Sequence, residues 1–361
     1  MQASNNPRKK VLLLSAYNTP SHKSWCNGLT EHLPDFDWEY MHLPPRYFSW
    51  RIRGNPLSFI HKFSEQLKQE YDIVFATSMV DLATICGIYP NLANAKKVVY
   101  FHENQFAYPQ SPNAPERLEP LMVNLYSALA ADQVIFNSEH NRSSLLDGTS
   151  SFMQKMPDFS PVSIVDDLKQ KSCVLPVPIK DQQIVENKKI PNSIIWNHRW
   201  EYDKNPEDFF AALSILKNRN IDFKLIIMGQ QFRSIPDVFT EAKEAFAENI
   251  ICWGEQSRGD YLSWLSQGEY IVSTAIHEFQ GLSVMEGVQH GAIPIVPNRL
   301  SYPEIFSNDY LYGDDSTDLA GFLERLLTHK SKLSVPSVDE YTWSVLNGSY
   351  RSLLLALLDK S

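Results

Sequence analysis

Residues 270–286 read YIVSTAIHEFQGLSVME. The opening YIVSTA is a short apolar run, the pattern of a strand buried on both faces of a parallel sheet, and the residues after it have the look of a helix. In open α/β sheets ligands bind beyond the carboxyl ends of strands, so Glu278 is expected in such a loop. Glu286, expected two turns into the helix, is taken to face the same crevice. Between them Gly281 lets backbone approach a diphosphate, and the first free N–H groups of the helix face that anion. One carboxylate for sugar hydroxyls and one for ribose hydroxyls then flank a phosphate cradle. The spacing alone better fits two solvated glutamates on a surface helix, so the surroundings decide.

Those surroundings are two series of buried-strand patterns. SIIWNHR, FKLIIMG, IICWG, YIVSTA and AIPIVP make the second. KVLLLSAY, DWEYMHL, DIVFATS, KVVYFHE, QVIFNSE and SCVLPVP make the first, with helix-length stretches between, as repeated βα units demand. The expected fold is therefore α/β, with two Rossmann-like domains facing a central crevice. Residues 1–190 form the first, residues 191–335 the second, and 336–361 a terminal helix whose packing on the first domain is left open. The polar stretch KDQQIVENKKIPN, residues 180–192, has the composition of a linker, and residues 153–171 that of a surface segment.

The bulk numbers narrow the classes. With 361 residues, 43% hydrophobic and 21% charged, the chain affords two cores. Its net charge of −9 disfavours nucleic-acid binding through a global positive field, so a polyanionic partner needs a local basic patch. MQASNNPRKK is polar and basic, and the VLLL after it is too short for a signal or a spanning helix. A cytoplasmic protein without a membrane segment is expected. Cys26, Cys86, Cys173 and Cys252 are scattered, which indicates neither zinc nor disulfides. No Gly-x4-Gly-Lys-Ser/Thr or Gly-x-Gly-x2-Gly motif is present, so ATPase and NAD readings lose support. The usual Asp-x-Asp for a metal-bound nucleotide sugar is missing too, so no metal is expected to be required.

Two cations follow the strand SIIWNHR: Arg199 and then Lys204. A planar guanidinium fork and a compact ammonium suit a departing diphosphate. The plainer alternative is a surface pair engaged by Glu201 and Asp203. His102, at the end of KVVYFHE, is a candidate sugar contact beside Glu103 and Asn104, as against a satisfied structural histidine. Asn137 and Ser138 end the next strand, where Ser138 also suits a helix cap. In LPPRYFSWRIRGNPLSF, Arg46, Arg51 and Arg53 alternate with Tyr47, Phe48 and Trp50. Cations with exposed rings suit single-stranded or looped RNA; an amphipathic segment with buried aromatics is the alternative.

Arg199 with Lys204, Gly229 after FKLIIM, Gly254 after IICW, HEFQGLSVME and GAIPIVP together resemble the retaining GT-B glycosyltransferases of the large family-four group, over most of residues 193–300. The resemblance implies that Glu278 contacts the donor sugar, Glu286 binds the ribose, Arg199 and Lys204 hold the diphosphate, and His102 borders the sugar. Gly229, Gly254, Gln280, Gly281 and Leu282 complete the implied donor set. The first half, through LLLSAYNTPSHKSW, LPPRYFSWRIRGNPLSF and FHENQFAYP, resembles the narrower group that includes the tRNA-queuosine mannosyltransferases. That likeness implies GDP-mannose as donor, no cofactor, and queuosine in a tRNA as acceptor. The family's glycine-rich loop after the first strand is here AYNTPSHKSW. Asn18, Ser21 and His22 therefore join Arg46, Arg51, Arg53 and Asn104 as acceptor-side candidates.

The expected activity is metal-independent, retaining mannosyl transfer by a monomer. A lipid, glycan or metabolite acceptor is one alternative, and a catalytically silent RNA-binding module another.

Overall fold

The computed structural model describes residues 7–108, 118–182, 187–231, 235–329 and 333–359. The chain divides into two compact units, Met1–Pro178 with Trp343–Ser361, and Ile179–Thr342.

The first unit is built on six parallel strands: β1 Lys9–Ser15, β2 Phe36–His42, β3 Ile73–Thr77, β4 Lys96–Phe101, β5 Gln133–Phe136 and β6 Ser172–Val174. Val11 to Leu14 of β1 are fully buried, as a central strand covered by helices on both faces requires. The sheet runs β2-β1-β3-β4-β5-β6, so the connections that leave β1 and β3 run in opposite directions and open a crevice at their carboxyl ends. Local chemistry starts the helices there. The Thr19 hydroxyl accepts from the His22 N–H, and Pro20 opens the helix Pro20–His32. The Ser138 hydroxyl accepts from the Asn141 N–H at 3.1 Å and so caps the helix Glu139–Lys155. β6 stops short in SCVLPVP because Pro176 offers no N–H for a ladder. The surface segment expected over 153–171 contains a helix, Ile164–Gln170, which buries Leu168.

The terminal helix Trp343–Asp359 belongs to the first unit. Trp343 stacks on His32 at 4.9 Å. The Tyr350 hydroxyl accepts from Trp25 Nε1 at 3.1 Å and donates to the Pro176 carbonyl at 2.9 Å.

The second unit repeats the plan with β7 Ser193–Trp196, β8 Lys224–Met228, β9 Ile250–Gly254, β10 Tyr270–Val272, β11 Ile293–Pro297 and β12 Leu311–Tyr312. All its pairings are parallel, in the order β12-β11-β10-β7-β8-β9. β10 lies against β7, Tyr270 beside Ile194, and this is where the order reverses. Of the polar stretch 180–192, residues 183–186 lie outside the described residues. Lys189 in that stretch donates to the carbonyls of Gly268 and His290, which ties it to the second unit. No helix among the described residues is long and apolar enough to cross a membrane.

Tyr350→Phe strands the Trp25 N–H and the Pro176 carbonyl in a buried place. It should cost about 1–2 kcal/mol in urea unfolding followed by tryptophan fluorescence; an unshifted midpoint would contradict the packing described.

Candidate active site

The reversal between β7 and β10 places two loops side by side. The loop after β7 carries Arg199 and Lys204, and the loop after β10 carries Glu278. Backbone contacts pin them together: the Thr274 hydroxyl donates to the Lys204 carbonyl at 2.9 Å and the Ile276 N–H to that of Asp203 at 3.0 Å. Lys204 is buried, and its Nζ donates to the His277 carbonyl at 2.8 Å. The same ammonium lies 3.3 Å from a Glu278 oxygen and 3.3 Å from an Asp203 oxygen.

Glu278 is therefore not a solvated surface carboxylate. Burial pushes its pKa up, but Lys204, the N–H groups of Gly281 and Gln280, and His198 outweigh it and bring the value down to about 2. Its Oε1 accepts from the N–H groups of Phe279 and Gln280. Asp203 is likewise held below the usual carboxylate range: burial opposes ionisation, while His277, Lys204 and Arg199 favour it. Gly281 caps the helix Leu282–Gln289 in left-handed backbone, φ 73°, and a Cβ there would come within 2.8 Å of the Tyr302 ring. Leu282 is the first helical residue, and Gln280 is buried just ahead of the cap.

Glu286 sits one turn into that helix, not two, because Gly281 delays the helix start to Leu282. Arg258 forks onto both its oxygens. Arg199 is half-exposed and engages Glu201, with Asp203 at 3.6 Å, so the acidic pairing considered from sequence does form around it. Gly229 follows β8 with its backbone against the His198 carbonyl, where a Cβ would fall at 1.9 Å, and Gly254 ends β9.

Three residues here escaped the sequence reading: Asp203 as a buried partner, Arg258, and His198. Burial, then Lys204, lowers the His198 pKa to about 3 against partial opposition from Glu278 and Asp203, so the ring is neutral. Its Nδ1 meets the Ser283 hydroxyl at 3.2 Å, and its Nε2 has no partner among the described residues. The signal was available, since His198 immediately precedes Arg199 at a strand end.

The first-unit candidates separate by burial. His102 ends β4 with its ring 4.2 Å from that of His22, and neither ring nitrogen of His102 has a partner among the described residues. Burial, then His22, lowers its pKa well below 6.5; burial also lowers that of His22, against Glu103. Burial thus favours the neutral form of both rings. A chain of amides holds the His102 backbone: Asn104 donates to Asn141, Asn141 to Asn137, and Asn137 to the His102 carbonyl. Asn104 is fully buried in that chain, its amide engaged by Asn141, Ser144 and the Ala107 N–H. Asn18 is buried too, accepting from the Tyr40 hydroxyl, whereas Ser21 is exposed.

The basic stretch is neither wholly exposed nor wholly packed. Arg46 is exposed, Arg53 pairs with Asp81 at 2.6 Å and Arg51 is buried; Phe48 packs on Tyr17, while Tyr47 and Trp50 face solvent. Among the described residues no three His, Cys, Asp or Glu side chains are grouped to hold a metal ion.

Comparison with known proteins covers both units. Residues 10–179 match the family model for the tRNA-queuosine alpha-mannosyltransferase N-terminal region, and residues 179–335 that for glycosyl transferases group 1. The tRNA-queuosine alpha-mannosyltransferase of Drosophila melanogaster is 34% identical over 314 residues, 84% of this chain and 83% of that protein. The sucrose-phosphate synthase of Thermosynechococcus elongatus aligns with a TM-score of 0.71 at 12% identity, over 98% of this chain and 100% of that one. The catalytic domain of starch synthase IV from Arabidopsis thaliana gives 0.69 at 11% identity, over 98% and 100%. At such identities these two structures establish the GT-B fold alone.

Acid should weaken the protein in two stages. His22, His102 and His198 all have folded pKa values below 6.5, so the unfolded chain takes up protons they refuse and stability falls as the pH drops below 6.5. Glu278 contributes stability above its ordinary 4.5 and loses it as the pH falls towards about 2. Urea unfolding between pH 7.5 and pH 3 reads both stages, and a flat profile would contradict the burial of these groups.

Proposed function

We propose, for a chain that belongs to the tRNA-queuosine alpha-mannosyltransferase family, retaining transfer of mannose from GDP-mannose to queuosine in a tRNA anticodon loop. One placement carries the donor half of this conclusion: Glu278, Lys204 and the Gly281 cap lie together at the carboxyl ends of β7 and β10, at the reversal of strand order. The acceptor half is supported by the match of residues 10–179.

Each group then has a task its environment suits. Glu278, ionised at neutral pH, accepts hydroxyl groups of the donor sugar. The diphosphate lies at the N–H groups that open the helix after Gly281, where partial positive charge is already oriented. Arg199, half-exposed, swings from Glu201 onto it. Lys204 is already shared by two carboxylates and a carbonyl, so its main task is to hold Glu278 ionised and in place, with diphosphate charge a second one. Glu286 takes the ribose hydroxyls while Arg258 keeps its carboxylate oriented. His102, with no ring-nitrogen partner among the described residues, is able to hydrogen-bond a ligand hydroxyl.

With Glu278 clamped by Lys204 and by backbone N–H groups, it acts as an acceptor of hydrogen bonds, not as a nucleophile. Departure of the diphosphate and attack of the queuosine hydroxyl on the same face, with the hydroxyl proton passing to the departing diphosphate oxygen, retain the configuration without a covalent intermediate. Cationic side chains and helix N–H groups carry the leaving-group charge, so no divalent ion is required. The reaction takes place in the cytoplasm, where its tRNA acceptor is met.

The test is incubation of the protein with queuosine-bearing tRNA and GDP-mannose, and in parallel with UDP-sugars, followed by nucleoside mass analysis. Hexosylated queuosine is expected with GDP-mannose alone, at a rate that EDTA leaves unchanged. Glu278→Gln should lower kcat roughly 100- to 1000-fold with the fold intact. Transfer from UDP-sugars alone overturns the donor assignment, and wild-type turnover in Glu278→Gln overturns the site.

A further inference from the structure

Among the three arginines of the first unit's aromatic stretch, the structure treats Arg51 differently from the other two. Arg53 is paired with Asp81, the residue that caps the helix Leu82–Ile88. Arg46 lies at the surface with its guanidinium 5.5 Å from the centre of the Tyr47 ring. Arg51 is only 6% exposed, its Nε has no hydrogen-bond partner, and no carboxylate pairs with it among the described residues. Burial, then Arg46, lowers its pKa, with Tyr17 opposing. A guanidinium nevertheless stays charged at physiological pH. A buried cation without a counter-ion destabilises the free protein, and an anion arriving from outside is what satisfies it.

Two exposed aromatic residues lie near it in sequence. Tyr47 precedes the helix Phe48–Leu67 in left-handed backbone, φ 58°, an uncommon conformation for an aromatic residue, and it is 70% exposed. Trp50 is 56% exposed, and its indole lies over Gly54, where a Cβ would come within 2.3 Å of the ring. The missing side chain at Gly54 lets the indole lie along the helix with its other face in solvent.

Residues 46–51 thus hold a buried cation that no carboxylate pairs among the described residues, a surface cation and two exposed π faces. A polymer that alternates phosphates with unstacked bases answers both kinds of group at once. A free anion answers only the cations. We propose that Arg51 and Arg46 bind a backbone phosphate of single-stranded RNA while Trp50 and Tyr47 stack the flanking bases. This deepens the acceptor assignment made above and rests on it. The overall charge of −9 makes such a local site necessary, since the protein's mean field repels the rest of the RNA.

The experiment measures binding of an anticodon stem-loop RNA to the full chain by fluorescence anisotropy over a range of KCl concentrations, with melting temperature in parallel. Arg51→Met should bind roughly tenfold more weakly with a salt slope about one unit shallower. It should also melt at the same temperature or a few degrees higher, because an unpaired buried charge has been removed. Trp50→Ala should bind roughly tenfold more weakly with the wild-type salt slope. Wild-type affinity and slope in Arg51→Met overturn the phosphate site, and a lower melting temperature there assigns Arg51 a structural role instead. Competition by millimolar inorganic phosphate marks the site as one for free anions and also overturns the proposal. Wild-type protein that binds the RNA yet transfers no sugar overturns only the function proposed above; wild-type protein that binds no RNA overturns both.

Discussion

The second unit depends on one buried ammonium. Lys204 Nζ is shared by the His277 carbonyl, Asp203 and Glu278, groups from the loops after β7 and β10. Two carboxylates this close would repel and take up a proton if left alone. With the cation between them both stay ionised, and the desolvation of three charges is offset within one cluster. Ionised Glu278 then accepts the N–H groups of Phe279 and Gln280, which shapes the turn leading to the left-handed Gly281. That cap in turn sets where the helix begins and how far along it Glu286 falls.

Around His102 the first unit solves a similar problem without charge. Its polar groups at the strand ends are amides and neutral imidazoles, and these can be buried if each finds a hydrogen bond. The relay from Asn104 through Asn141 and Asn137 to the His102 carbonyl does this for the backbone. The His22 ring hydrogen-bonds the Tyr17 carbonyl and packs on His102, whose own ring lies among Trp25 and Tyr100. Asp81 is a buried charge answered by Arg53, whereas Arg51 is a buried charge that no carboxylate answers among the described residues.

The strands were legible because a parallel strand covered on both faces must be continuously apolar, and VLLL, IVFA and SIIW have no other plausible use. Short or atypical elements were not. Leu311–Tyr312 is too brief to show a period, and Ile164–Gln170 hides among prolines and charges because it buries little beyond Leu168. Within the site, Glu278, Lys204 and Gly281 could be named from position after a strand, since that position brings residues distant in sequence to one sheet edge. Arg258 and Asp203 could not, because nothing local distinguishes a surface charge from one buried beside Lys204 or one that meets Glu286 from another helix. The arginines at 46, 51 and 53 look alike in sequence, yet one is exposed, one buried and one paired.

By itself, then, the sequence determined two parallel-sheet units, the strand ends where ligands bind, and the residue types offered there. Hydrophobic pattern and turn chemistry are local properties, read within a few residues. Which charges are buried, which are paired and which are left without a partner was decided only by the tertiary structure. The state of a charge depends on its distance to groups far along the chain and on how much water the fold leaves it. Lys204 and Arg51 are both buried cations in loops or helix starts near strand ends. Only the folded chain gives one two carboxylates and, among the described residues, the other none.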